Sequence, residues 1–205
     1  MIQFNIGEEY TANHPVTRQV REAIQDMYGG GRNGWDLQCT EGATYFVLQA
    51  TGKLIDWPVQ FGRNGGKWDD IFEKYNKYTV SSIPTVGSTM HIGAGLGSEQ
   101  ANLIGHVAYV MAVLSDGSIK VKETNWPRHG IYNERIIPKV KWQGQYQARF
   151  VEYTEGTTLA MAKAVLARPD GRAVLLSHRA ILFFRLYLGR VQPPIHGCYR
   201  LAVLA

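Results

Sequence analysis

The sequence predicts an α+β protein, in which N-terminal helices pack on an antiparallel sheet. Three segments in the first 78 residues have helical spacing of apolar residues, and after residue 80 the spacing changes to the alternation of strands. Helices followed by strands and short turns are typical of an α+β domain. The chain has 205 residues, of which 45% are hydrophobic and 19% are charged, enough for one domain of roughly 150 residues plus an extension.

Each predicted helix has either a recognisable end signal or an apolar face. The first runs from Pro15 to Met27, with proline in its first turn, and three consecutive glycines follow it. The second runs from Cys39 to Thr51 and ends at Gly52, a residue suited to a helix C-cap; we expect it to be mostly buried. The third runs from Lys67 to Tyr78 and has an apolar face.

Four strands are expected after residue 80, separated by glycine, proline or Asp-Gly turns: Ser88–Gly93, Gly105–Leu114, Ser118–Trp126 and Gln145–Tyr153. The tetrapeptide Ser115-Asp116-Gly117-Ser118 is a strong hairpin signal. It predicts that the second and third of these strands are antiparallel neighbours.

Charge divides the chain into a domain over residues 1–155 and an extension over residues 156–205. Residues 1–156 contain 15 Lys and Arg against 16 Asp and Glu, whereas residues 157–205 contain 7 against 1. The basic character therefore belongs to the extension, which argues against a nucleic-acid partner for the whole protein. The extension begins Ala-rich and becomes apolar with interspersed Arg and His, so we expect it to be helical.

Cys39 is the first candidate for chemistry. The other cysteine, Cys198, is far away in sequence, and two such cysteines predict neither a disulfide framework nor a CxxC site. Cys39 begins the second predicted helix, where free backbone N–H groups and the helix dipole stabilise a thiolate. Free cysteine is also a common core residue, so taken alone Cys39 is either a nucleophile or a packing residue.

His106 and Glu123 are the second and third candidates. His106 opens a mostly apolar strand, and on the neighbouring strand Glu123 and Asn125 share the face of Val121. A histidine at this place can take a proton from a thiol, and a polar pair can accept its second N–H. The alternatives are a satisfied core histidine and a solvated strand face. Together with Cys39, these residues occur in the chain order of the papain-like arrangement.

Four segments resemble motifs of the CHAP domains, the cysteine- and histidine-dependent amidohydrolase/peptidases. Gln38-Cys39-Thr40 after a glycine-rich loop resembles the cysteine motif, and Ile83–Ser88 resembles the strand entry before the histidine. Gly105–Val110 is similar to the histidine motif, and Glu123–Trp126 is similar to the E-x-N motif, seventeen residues after the histidine. The resemblance covers roughly residues 12–153 and implies a papain-like fold of the NlpC/P60 type.

The resemblance implies cleavage of an amide bond in bacterial peptidoglycan, at the N-acetylmuramoyl-L-alanine bond or within the stem or bridge peptide. By this match Cys39 is the nucleophile and His106 is the general base and later the general acid. Glu123 orients His106, and Asn125 assists. Gln38 shapes the turn before the nucleophile or contacts substrate.

One departure from the family pattern affects the expected ligands. Some CHAP domains bind calcium through a run of Asp before the cysteine, whereas residues 29–34 here are mostly glycine, with Asp36 and Glu41 nearby. We therefore expect no metal and no other cofactor. Among the tryptophans, Trp35 and Trp126 are candidates for contacts with a glycan or peptide, although tryptophan is more often a packing residue.

The setting of the reaction is also an expectation. The N-terminus has no secretory signal pattern, which fits a phage lysin or a tail-associated lysin made in the host cytoplasm and acting at the cell wall. The extension could contact a membrane surface or anionic wall polymers, pack on the domain or on a second chain, or be an irregular end; the last two are favoured. The alternative function is a non-catalytic wall-binding or structural tail module on the same fold.

Overall fold

The computed structural model describes residues 2–27, 34–96 and 104–153, together with the backbone of residues 165–167, 173–175 and 201–202. The chain divides into two compact units, Met1–Thr154 and Glu155–Ala205. The α+β class predicted from the sequence is confirmed in the first unit, which contains the helices and an antiparallel sheet.

Three α-helices lie in the first unit: α1 Pro15–Ala23, α2 Cys39–Thr51 and α3 Trp68–Lys74, the last preceded by a 3-10 turn over Gly65–Lys67. Helices α1 and α3 end four residues earlier than expected, because left-handed backbone follows them at Gln25 and Asn76 (φ 56° and 49°). None of the helices in the described ranges has the length and apolar character of a membrane span.

Six strands form one antiparallel sheet in the order β1-β6-β2-β3-β4-β5. Their bounds are β1 Thr79–Ser81, β2 Thr89–Ile92, β3 His106–Val113, β4 Ile119–Thr124, β5 Tyr132–Ile137 and β6 Arg149–Glu152. The predicted hairpin joins β3 to β4, where the Leu114 N–H donates to the Ser118 carbonyl at 2.8 Å and Gly117 has a φ of 80°. This hairpin makes the histidine strand and the Glu123 strand neighbours.

The spacing of apolar residues did not predict β1 and β5, and it predicted β4 and β6 to be longer than they are. β1 is only three residues long, and β5 (YNERII) has three consecutive polar residues that hide its alternation. The strand expected over Gln145–Tyr153 is confined to β6, because a π-helical turn extends to Gln145 and Gln147 has left-handed backbone (φ 47°). β4 ends at Thr124 rather than at Trp126, because Asn125 has left-handed backbone (φ 64°).

The core has clusters on both faces of the sheet. One cluster joins α2 and α3 to the sheet through Ala43, Val47 and Phe72, and it contains Cys39 and Val107. A second cluster covers the opposite face, with Trp142 and Phe150 among its largest members. A third joins α1 to α2. The N-terminus of α2 therefore lies on a packed sheet, which gives the cysteine a fixed position.

The described backbone of the extension is strand. β7 Val165–Ala167, β8 Ala173–Leu175 and β9 Leu201–Ala202 form an antiparallel sheet in the order β8-β7-β9. At these eight positions the expected helix is wrong. Short apolar segments on either side of an Arg-Pro-Asp-Gly turn signal favour a hairpin, and β7 pairs with β8. The rest of the expected helix lies outside the described residues.

Candidate active site

Cys39 is the first residue of α2 and has 7% of its surface exposed. The residue before it, Gln38, has extended backbone and caps the helix. The Glu41 carboxylate accepts a hydrogen bond from the Gln38 N–H at 2.9 Å, as in a capping box. Cys39 is a free thiol, and Cys198 lies outside the described residues. The expected placement of the thiol at a helix N-terminus is therefore what the structure shows.

Two long-range interactions hold the turn before Cys39. The Thr124 hydroxyl donates to the Gln38 carbonyl at 2.8 Å, which ties the turn to the end of β4. The Arg21 guanidinium forms a buried ion pair with Glu41 (Nε–Oε1 2.7 Å) and donates to the Trp35 carbonyl at 2.8 Å. The sequence did not single out Arg21, and Glu41 is 1% exposed, so Glu41 supports the turn rather than contacting a substrate.

His106 is placed by an unusually close approach of two backbone segments. Gly105, which precedes it, has a φ of 73°, and a Cβ there would lie 2.5 Å from the Gly66 Cα and 2.3 Å from the Ile92 carbonyl oxygen. Only glycine fits such a position. The 3-10 turn at Gly65–Lys67 therefore packs directly on the start of β3 and fixes the backbone of His106.

The His106 imidazole is hydrogen-bonded on both sides. Its Nε2 lies 2.9 Å from Glu123 Oε2, and the two residues are 3% and 1% exposed. The Cys39 thiol is the second hydrogen-bonding partner of the ring. The structure thus brings Cys39, His106 and Glu123 together in the order expected from the sequence.

The environment shifts the pKa of each member of this set. Burial alone would raise the pKa of the Cys39 thiol, but the hydrogen bond and charge of His106, with two backbone N–H groups, lower it below its ordinary value. Burial alone would lower the pKa of His106, but Cys39 and Glu123 raise it to about 9. Burial alone would raise the pKa of the Glu123 carboxyl, but the hydrogen bonds and charges of His106 and Arg135 lower it below its ordinary value. These directions favour a thiolate, an imidazolium and a carboxylate at neutral pH.

Asn125 does not share the face of Glu123. Its left-handed backbone turns the side chain away from strand alternation; its Oδ1 accepts from the Gly130 N–H at 3.0 Å, and its Nδ2 donates to Gln38 Oε1 at 3.4 Å. The Gln38 amide donates to the Asp36 carbonyl at 2.7 Å. Both residues join loops around the nucleophile, so the expectation that Asn125 lies with Glu123 at the imidazole is wrong.

The two candidate tryptophans have opposite environments. Trp35 is 57% exposed, close in sequence to Cys39, and retains a free face for a ligand. Trp126 is 7% exposed, and its ring lies 4.9 Å from the His106 ring, centroid to centroid. A buried indole has little surface to offer a substrate, so the structure places Trp126 as packing beside the imidazole. The sequence could not distinguish the two.

Arg135 on β5 is a site residue that the sequence did not indicate. It pairs with Glu123 through Nε–Oε1 at 2.6 Å and Nη2–Oε2 at 3.3 Å. Its strand was itself missed, and a basic residue among polar ones is normally a solvated residue.

Another buried group, His91, contacts the Gly65 carbonyl and Thr89 and takes no part in the set of Cys39, His106 and Glu123.

No group of three or more His, Cys, Asp or Glu within residues 2–27, 34–96 and 104–153 is arranged to hold a metal ion. The calcium ligands that some CHAP domains have before the cysteine would fall mainly in residues 29–33, which lie outside the described residues. The described part of the site brings together a thiol, an imidazole and a carboxylate.

Residues 27–125 match the CHAP domain family model. Staphylococcal secretory antigen SsaA of Staphylococcus aureus is 31% identical over 121 residues, which cover 56% of this chain and 40% of that protein. N-acetylmuramoyl-L-alanine amidase sle1 of Staphylococcus epidermidis is 43% identical over 115 residues, which cover 56% of this chain and 30% of that protein.

A crystal structure of an N-acetylmuramoyl-L-alanine amidase from Staphylococcus aureus is similar, with 28% identity and a TM-score of 0.47 over 56% of this chain and 30% of that one. The chain spans less than half the length of the curated relatives that it matches. The matched segment contains the cysteine, the histidine and the E-x-N motif that suggested the resemblance. Residues 27–125 of this chain are a CHAP domain.

Proposed function

We propose that the protein is a peptidoglycan hydrolase that cleaves an amide bond of the bacterial cell wall with Cys39 as nucleophile. The observation that carries this proposal is the buried, hydrogen-bonded set of Cys39, His106 and Glu123 inside a CHAP domain. A cysteine that only packs in a core has no need of an imidazole held by a buried carboxylate.

The reaction follows from the protonation states of the set. The Cys39 thiolate attacks the carbonyl carbon of the amide, and a C–S bond forms. The His106 imidazolium gives its proton to the amide nitrogen, the C–N bond breaks and the amine leaves. Water then attacks the thioester while neutral His106 accepts its proton, which releases a carboxylic acid and restores the thiolate–imidazolium pair. Glu123 accepts the Nε2 hydrogen bond throughout.

We propose that the bond cleaved is the one between muramic acid and L-alanine. The relatives that are called N-acetylmuramoyl-L-alanine amidases favour the bond between muramic acid and L-alanine. Cleavage within the stem or bridge peptide uses the same chemistry. Trp35, exposed and near the cysteine, is the proposed contact for glycan or peptide.

The test is mass spectrometry of fragments released from purified Gram-positive peptidoglycan by the wild type and by Cys39→Ser. New muramic acid and free L-alanine ends, absent with the variant, are expected for an amidase, and new ends within the peptide are expected for an endopeptidase. Background release by both folded proteins on several wall types would contradict hydrolysis and favour a non-catalytic binding or tail module.

Delivery to the wall is a separate proposal. We propose a lysin released through the host membrane or carried on a phage tail, with the catalytic unit acting at the wall. Immunoblots of purified virions and of lysates compare the two routes. Detection only in the supernatant of growing bacteria, without any phage, would contradict both.

A role for the extension is proposed on its charge alone. Seven Lys and Arg against one Asp in residues 157–205 suit contact with anionic wall polymers or a membrane surface. Deletion of residues 157–205 is expected to leave hydrolysis of soluble peptidoglycan fragments largely intact. Complete loss of activity in a folded deletion variant would instead make the extension part of the catalytic unit.

A further inference from the structure

Arg135 contacts both oxygens of the buried carboxylate that orients His106. Its Nε donates to Glu123 Oε1 at 2.6 Å, and its Nη2 donates to Glu123 Oε2 at 3.3 Å. Oε2 is also the atom 2.9 Å from His106 Nε2. A two-point contact of this kind fixes the plane of a carboxylate, which a single hydrogen bond does not. The direction of Oε2 toward the imidazole therefore depends on the guanidinium.

Arg135 also supports the other neighbour of the imidazole. Its guanidinium carbon lies 4.6 Å from the centroid of the Trp126 ring, and Trp126 in turn packs 4.9 Å from the His106 ring. A further hydrogen bond joins Arg135 to Tyr146, which is 2% exposed. The arginine thus links the carboxylate and the indole that enclose His106.

The charge of Arg135 matters most when His106 is neutral. Glu123 is 1% exposed, and burying an unpaired carboxylate is costly. In the proposed reaction His106 gives up its proton, which leaves Glu123 beside a neutral ring. Arg135, with a side chain 19% exposed, is then the remaining cation in contact with Glu123 among the described residues. It keeps the carboxylate ionised through the whole cycle.

We propose that Arg135 is a positioning residue that keeps Glu123 ionised and aimed at His106, and thereby sustains the charged Cys39–His106 pair. This inference rests on the proposed function for its role in turnover. Its effect on the thiol does not depend on which bond is cleaved. The competing explanation is an ion pair that contributes only to the stability of the β4–β5 hairpin.

The main experiment measures the alkylation rate of Cys39 by iodoacetamide as a function of pH, followed on the Cys39 peptide by mass spectrometry. The groups that face this thiol and its partners are His106 from β3, Glu123 from β4, Arg135 from β5 and, next to His106, His91 from β2. Only Arg135 is changed. Because iodoacetamide reacts with the thiolate and not with the thiol, the alkylation rate does not depend on any peptidoglycan substrate.

Arg135→Met removes a positive charge, so every neighbouring group binds its proton more tightly. The midpoint of the alkylation profile is expected to move about one unit to higher pH, with roughly tenfold slower alkylation below the wild-type midpoint. Lys120→Met is the matched control, because Lys120 pairs with Glu134 on the same two strands at 2.8 Å. Its profile is expected to coincide with the wild type. A wild-type midpoint in folded Arg135→Met would overturn the proposal.

Arg135→Lys distinguishes the effect of the positive charge from the effect of the two-point contact with Glu123. It keeps the cation and loses the two-point contact, so the alkylation midpoint is expected to stay near wild type while kcat on peptidoglycan fragments falls roughly 10-fold to 100-fold at unchanged KM. Unchanged kcat would overturn the positioning role. If Arg135→Met fails to fold by tryptophan fluorescence, Arg135→Gln is measured with the same expected shift. Absence of hydrolysis by the wild type would contradict the proposed function and leave the alkylation result standing.

Discussion

Gly42 on α2 and Thr124 at the end of β4 approach each other so closely that no side chain fits at position 42. A Cβ there would lie 2.3 Å from Thr124 Oγ1 and 2.8 Å from its Cγ2. The same hydroxyl donates to the Gln38 carbonyl at 2.8 Å. Thr124, the middle residue of the E-x-N motif, therefore fixes the distance between α2, which begins with Cys39, and β4, which carries Glu123.

Gly42→Ala is expected to separate α2 from β4 and destabilise the first unit by about 1–3 kcal/mol, since buried methyl groups without space force backbone shifts. The measurement is urea unfolding followed by tryptophan fluorescence, because all five tryptophans lie in the first 142 residues. Gly144→Ala is the control, as a Cβ at Gly144 meets nothing within 4 Å. Equal midpoints for both variants would show that the contact relaxes without cost.

The buried ion pair between Arg21 and Glu41 leads to a second prediction. Arg21→Met leaves the Glu41 carboxylate buried without its cation and is expected to cost about 3–5 kcal/mol of unfolding free energy. It also removes the bond to the Trp35 carbonyl, so kcat is expected to fall together with stability. Lys67→Met breaks the exposed pair with Asp70 and serves as control, with an unfolding midpoint within error of wild type. A small loss in Arg21→Met, equal to the control, would contradict the structural role.

His91 gives a prediction on pH. Burial lowers the pKa of His91 to about 3, against about 6.5 in an unfolded chain. Between these pH values the unfolded chain binds one proton more than the folded chain. The contribution of neutral His91 to folding stability is therefore fully present above about pH 6.5 and is lost as the pH falls toward 3. Unfolding free energies at pH 5–6 are expected to have a slope shallower by up to about 1.4 kcal/mol per pH unit in His91→Gln. His129→Gln, at an exposed position, is the control. Parallel slopes for wild type and His91→Gln would refute a neutral buried His91.

Trp35 and Trp126 are expected to affect different kinetic constants. Trp35→Ala removes an exposed ring and is expected to raise KM roughly 3-fold to 10-fold with kcat unchanged, if the ring contacts substrate. Trp126→Phe leaves a gap beside His106 and is expected to lower kcat with KM unchanged. Steady-state kinetics on soluble peptidoglycan fragments distinguish them. The reverse assignment, with KM raised by Trp126→Phe alone, would restore Trp126 as a substrate contact.

The sequence predicted the parts of the site that local patterns determine. A glycine-rich turn before an apolar segment located Cys39 at a helix start, and strand alternation with a hairpin signal brought His106 and Glu123 together. Asn125 was misplaced because its positive φ interrupts the alternation, and spacing carries no information about that backbone angle. Arg135 was missed because a basic residue in a half-polar strand looks solvated until its partner is known.

Dependence on a divalent cation is the last expectation to test. The sequence has a glycine-rich segment rather than a run of Asp before Cys39, and the proposed steps need only a thiolate, an imidazole and a carboxylate. Treatment with EDTA followed by gel filtration is therefore expected to leave the release of peptidoglycan fragments unchanged. Wild type with added calcium is compared with the chelated protein at equal thiolate content, measured by alkylation. A loss of hydrolysis that calcium restores, without change in alkylation, would place a cation in substrate binding rather than in activation of Cys39.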